Sequence, residues 1–137
     1  MFTSDTNKSS YIKKTALAYL WVSIACVLIA NIYSLFGHGI RSDYMDYMFL
    51  YPFASSALFI LVCETFQGNK VRRLFRLGFN LYNSGIAALT AGSLLNGVME
   101  VAGTDAKQIK LFYVFGWILA ISGAISLILD VKRVKIG

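Results

Sequence analysis

Residues 16–36 contain 21 positions without a charged side chain. At 1.5 Å per residue, a helix of that length reaches about 30 Å, the hydrocarbon thickness of a bilayer. Residues 111–129 form a second uncharged run of 19 positions. Two further stretches have the necessary length and keep their charges near their ends: residues 45–66, with Asp46 and Glu64, and residues 74–101, with Arg76 and Glu100. The links between them, residues 37–44, 67–73 and 102–110, are short and polar, so consecutive helices must run antiparallel. The expected fold is all-α: a polytopic membrane protein forming an antiparallel four-transmembrane-helix bundle, with spans near 14–37, 43–66, 71–101 and 108–132. The whole chain, 1–137, is then one integral membrane domain, with short basic tails at 1–13 and 132–137.

Composition excludes the other broad classes. Charged residues make up 15% of the chain and the hydrophobic set 57%, whereas a soluble domain averages about 25% charged. A chain this apolar is not disordered, and two cysteines do not make a disulfide scaffold. Lys8, Lys13 and Lys14 precede the first apolar run as they would in a signal peptide, but 21 apolar positions exceed the usual core of about 7–15 residues and no small-residue cleavage site closes it. The run reads as an uncleaved anchor. Nor do the apolar stretches alternate as the strands of a membrane barrel would.

The basic residues set an orientation, because Lys and Arg collect in cytoplasmic flanks. Lys8, Lys13 and Lys14 lie before the first span, Lys70, Arg72, Arg73 and Arg76 around the second link, and Lys132, Arg133 and Lys135 after the last span. Arg41, Lys107 and Lys110 are the remaining three of the 13 basic residues. Both termini are therefore expected in the cytoplasm, and the membrane is taken to be the plasma membrane. Tyr33, Tyr44, Tyr47, Tyr51, Tyr113 and Trp117 gather toward the outer boundary, where an aromatic ring and its polar tip are both satisfied.

Helices in lipid associate through close packing and hydrogen bonds. Gly116, Ala120 and Ala124 in the fourth span, with Gly123 beside them, and Ser84, Ala88 and Gly92 in the third, recur every four residues and predict the packing faces. Pro52 cannot donate to the carbonyl of Met48, so a bend is expected within the second span. Cys26 and Cys63 differ in expected depth by roughly 10 Å, too far for a disulfide, and read as small apolar fillers.

Two polar groups are candidates for function. Asn80, Ser84, Ala88, Gly92, Asn96 and Glu100 fall at i+4 intervals, a stripe polar at both ends. Polar groups in lipid face a bundle interior or a water-filled cavity, so Asn80, Ser84, Asn96 and Glu100 are expected to point inward, either packing helices or lining a path for a solute or lipid. At the outer face, Asn31, His38, Arg41, Asp43 and Asp46 cluster around the first link, with Ser42 or Asp43 placed to cap the following helix. A lone His beside carboxylates is a weak metal or general-base signal, and no nucleotide, hydrolase or zinc motif accompanies it. No catalytic, cofactor-binding or metal-ligating residue is assigned.

The leading expectation is a non-enzymatic protein that binds or passes a small solute or lipid along the third-span stripe. Its partners are membrane lipids, with a homo-oligomer or a larger membrane partner allowed for and nucleic acid excluded. The alternatives are an accessory or scaffold subunit of a larger membrane complex and, more weakly, a membrane enzyme built on the outer His and carboxylates. Orientation is directly testable. Of single substitutions Asp5→Cys, Ser42→Cys, Lys70→Cys and Ala106→Cys, an impermeant thiol reagent outside the cell should label only positions 42 and 106; external labelling at 70 would invert the topology.

Overall fold

The computed structural model describes residues 8–36, 41–65, 73–104 and 107–136. The described chain is all-helical: α1 (Lys8–Phe36), the single turn α2 (Asp43–Asp46), α3 (Leu50–Thr65), α4 (Arg73–Val101) and α5 (Ile109–Ile136). His38, Lys70 and Arg72, which the sequence reading used, lie outside the described residues, as does the side chain of Cys63. Among the described residues, two helices are long and apolar enough to cross a membrane, α1 over Ile12–Phe36 and α5 over Ile109–Asp130. α3 has 16 residues, about 24 Å of rise, and α4 carries Arg76, Asn80, Asn83, Asn96 and Glu100 along its length. Neither reaches the apolar length of the other two.

The second expected span differs from a single bent helix. α2 ends at Asp46, a turn follows, and α3 starts afresh at Leu50. Pro52 explains the break. A continuous helix would leave the Met48 carbonyl without its donor, whereas a restart at Leu50 puts Pro52 in a first turn, where backbone N–H groups have no helical acceptor anyway. The turn is closed by the Leu50 N–H donating to the Tyr47 carbonyl at 3.0 Å and the Phe53 N–H to the Phe49 carbonyl at 3.1 Å.

The helices run up and down, with the start of α1 and the end of α5 at one end. Ile12 at the start of α1, Phe59 late in α3, Phe75 and Phe79 early in α4 and Leu127 late in α5 share one buried cluster. Phe59 is its centre: it stacks on Tyr19 at 5.8 Å between ring centroids, tilts against Phe79 at 5.3 Å and meets Tyr82 edge-on at 5.4 Å. A smaller cluster of Cys26, Ala30, Met45 and Met48 fills the opposite end, so Cys26 is a buried free thiol, as its apolar surroundings suggested.

α4 is the central helix. It packs along α5 on one side and against α2 and α3 on the other, while α3 also carries α1. Ten large hydrophobic side chains are exposed on α1 and ten on α5, against Leu77 and Leu95 on α4. Contact between α4 and α5 is backbone to backbone. A Cβ added at Gly85 would lie 2.4 Å from the Ala120 nitrogen, and one at Gly123 would lie 2.3 Å from the Tyr82 nitrogen. Gly116, Gly123 and Ala120 are buried as expected, with Ala124 half-buried. The face of α4 is only partly the expected one: Gly92 lies on it with Gly78 and Gly85, seven residues apart, and meets α5, Ala88 is half-buried, and Asn80 and Ser84 are exposed. The i+4 stripe drifts off the interface because α5 follows a seven-residue repeat along α4.

Gly85→Ala should therefore destabilise the purified protein by about 1–3 kcal/mol through overpacking, despite alanine's better helix propensity. Ser84→Ala, one residue away on the exposed face, should leave the melting temperature unchanged.

Candidate functional site

At the end of the bundle opposite the start of α1, α4 stops abruptly. Gly103 adopts φ +69°; its N–H donates to the Glu100 carbonyl and the Thr104 N–H donates to the Met99 carbonyl, both at 3.0 Å. This is a Schellman stop, and the left-handed residue it needs is a glycine. It leaves Glu100 on the last turn of α4, facing the start of α5. α2 is drawn onto the same region. Met45 packs against Gly97, where an added Cβ would meet the Met45 Cβ at 2.8 Å, and the Ser93 hydroxyl donates to the Tyr44 carbonyl at 2.7 Å.

Ser42 occupies the N-cap position of α2, but its hydroxyl does not cap the helix. It donates instead to Oε2 of Glu100. Ser42 is 2% exposed, so this bond ties the first link to the end of α4 from inside the fold, and a cysteine at 42 would be shielded from the thiol reagent, which corrects the labelling expected there.

These constraints frame a pocket of about 540 Å³ lined by Asn96, Glu100 and Thr104 from the end of α4, Ile109, Lys110 and Tyr113 from the start of α5, and Tyr44 from α2. That volume lies within the usual range for small-molecule sites, about 300–1,000 Å³. The expected stripe is thus divided. Asn96 and Glu100 come together in this pocket; Asn80 and Ser84 are exposed farther down α4 and line no part of it. A continuous polar path along α4 is not formed.

The outer cluster is also divided. Arg41 Nε pairs with Asp46 Oδ2 at 3.2 Å across the start of α2. Asp43 is exposed in the first turn of α2, where its charge suits the helix dipole. Asn31 turns its amide back to the Val27 carbonyl of its own helix at 2.7 Å, and His38 lies outside the described residues. Among the described residues no group of three His, Cys, Asp or Glu side chains is placed to hold a metal.

Lys110, Tyr113, Tyr44 and Thr104 were not singled out as site residues from sequence. The signal was present for two of them: Lys110 and Tyr113 are i and i+3 on one helix face, and a nine-residue link returns that face to Asn96 and Glu100. Asp130, inside the expected last span at 108–132, is 1% exposed in α5.

A second concavity, about 410 Å³, opens between α1 and α4. Val22, Cys26 and Ile29 form one wall, Ile86, Thr90 and Leu94 the other, and Met48 and Pro52 the floor. The Tyr19 hydroxyl donates to the Asn83 side-chain oxygen at 2.7 Å, bridging α1 and α4 toward the terminal end.

No protein-family model, curated protein or solved structure matches the chain.

The Tyr113 hydroxyl is buried and has no hydrogen-bond partner among the described residues. An unsatisfied buried hydroxyl costs about 1–3 kcal/mol. Tyr113→Phe should accordingly hold or raise the melting temperature of the ligand-free protein; a clear fall would show that the hydroxyl is paired.

Proposed function

We propose that the chain is a four-span integral membrane protein of the plasma membrane, with cytoplasmic termini, that binds a small solute or lipid headgroup without chemical turnover in the pocket between the ends of α4 and α5. The length and exposed apolar surface of α1 and α5 support membrane insertion, since patches this large are buried in lipid or against another protein. Residues 43–65 and α4 would supply the other two crossings, in keeping with the up-and-down order that puts the start of α1 and the end of α5 together. The observation that carries the ligand-binding reading is the 540 Å³ pocket, which gathers an amide, a carboxylate and an ammonium from Asn96, Glu100 and Lys110. Its place at one end of the bundle favours binding at the outer boundary over passage through the middle.

An accessory role is the second reading, and Asn80 and Ser84 favour it. Both are exposed on α4 within the apolar part of the bundle, where an amide and a hydroxyl are costly unless a neighbouring helix takes their hydrogen bonds. That neighbour would be a helix of a larger membrane protein or of a second copy.

Native mass spectrometry of gently purified protein separates these readings. A bound solute or lipid should be present in the wild type and lost from the Asn96→Leu, Glu100→Leu double variant; a folded double variant with full occupancy would overturn the pocket reading. Under the accessory reading, Asn80→Leu with Ser84→Ala removes a stoichiometric protein partner and leaves the pocket's occupant in place.

A further inference from the structure

The pocket holds two opposite charges that do not meet. Glu100 stands on its α4 wall and Lys110 on its α5 wall, yet among the described residues no ion pair joins them, although Arg41 and Asp46 pair nearby. Ser42 engages Oε2 of Glu100, which fixes the carboxylate and leaves Oε1 without a protein partner among the described residues. The Asn96 amide, on the same α4 wall as Glu100, is likewise not committed to a protein group among the described residues. Both charged side chains are exposed, so each is open to a ligand.

We infer that the pocket selects a zwitterion, a ligand carrying an ammonium and an oxyanion in one molecule. The ammonium sits at Glu100, the oxyanion at Lys110, and Asn96 contacts the segment between them. The electrostatics follow from the placement of the two charges on different walls of one pocket. A singly charged ligand satisfies one wall and leaves the other charge facing it uncompensated, whereas a zwitterion completes both pairs, and complementary charge of this kind sets specificity. Two sources share this chemistry, a free small zwitterion and an ammonium–phosphate lipid headgroup. The inference rests on the ligand-binding reading above and narrows it.

The test uses the full chain in detergent and in nanodiscs, with phosphoethanolamine as the free probe, phosphatidylethanolamine as the lipid, and ethanolamine and inorganic phosphate as single-charge controls. Phosphoethanolamine or phosphatidylethanolamine should raise the melting temperature at concentrations at least tenfold below those at which either control does. Glu100→Gln, which keeps an acceptor for Ser42, and Lys110→Gln should each weaken the zwitterion response about tenfold or more. The ethanolamine response should fall only with Glu100→Gln, and the phosphate response only with Lys110→Gln. A response to free phosphoethanolamine identifies a soluble ligand; a response confined to phosphatidylethanolamine nanodiscs, compared with phosphatidylglycerol, identifies the headgroup. Zwitterions no better than the controls, or a folded neutralised variant with unchanged response, would overturn the inference. Should Glu100→Gln fail to fold, Lys110→Gln, on an exposed position, decides alone. If the zwitterion response is absent while the native occupant is still lost from the Asn96→Leu, Glu100→Leu variant, the zwitterion inference fails and the pocket reading stands; if that occupant persists, both fail.

Discussion

The close approach of α4 and α5 governs the rest of the molecule. With Gly85 against Ala120 and Gly123 against Tyr82, no side chain separates the two backbones. Small residues permit such proximity, and dispersion between tightly apposed surfaces then holds it. Because the pair is locked in register over its length, the end of α4 and the start of α5 are also locked, and the geometry of Glu100, Lys110 and Tyr113 follows. The face of α4 turned from α5 is left for α2 and α3, which makes α4 the shared wall of both concavities.

Helix number, order and direction were legible because they depend on long uncharged runs and short links, signals that tertiary context seldom overrides. The faces were less legible. The third-span stripe read at i+4 intervals combined residues that the fold divides, because the working repeat on α4 is seven and runs through Gly78, Gly85 and Gly92. Both repeats are written in the same residues, and only the partner helix distinguishes them. The break at residues 47–49 was half-legible: Pro52 marked the place, but whether a proline kinks a helix or opens a new one depends on what can receive the preceding turn, here Gly97 on α4.

The candidate site shows the same division. Asn96 and Glu100 were visible from sequence because two polar residues one turn apart near a span end have few explanations. Lys110 was hidden among the basic residues used for topology, and Ser42 was, with Asp43, one of two candidate caps because that is what such residues before a helix usually do. Its hydroxyl serves another helix instead. Local rules describe local alternatives, and a carboxylate 58 positions away in sequence outcompeted them.

The contacts that join α1, α2 and α3 to α4 include a line of hydrogen bonds: Tyr19 to Asn83, Ser55 with Tyr82, Ser93 to the Tyr44 carbonyl and Ser42 to Glu100. Greasy interfaces tolerate sliding, since one methyl replaces another at small cost. Hydrogen bonds lose their strength within a fraction of an ångström, and a buried group released from its partner is costly to leave unsatisfied. A slip of one helical turn, 5.4 Å, would break all four together. The line therefore behaves as a ratchet with a single tooth: the two halves of the molecule are either engaged in this register or disengaged, and intermediate positions are penalised.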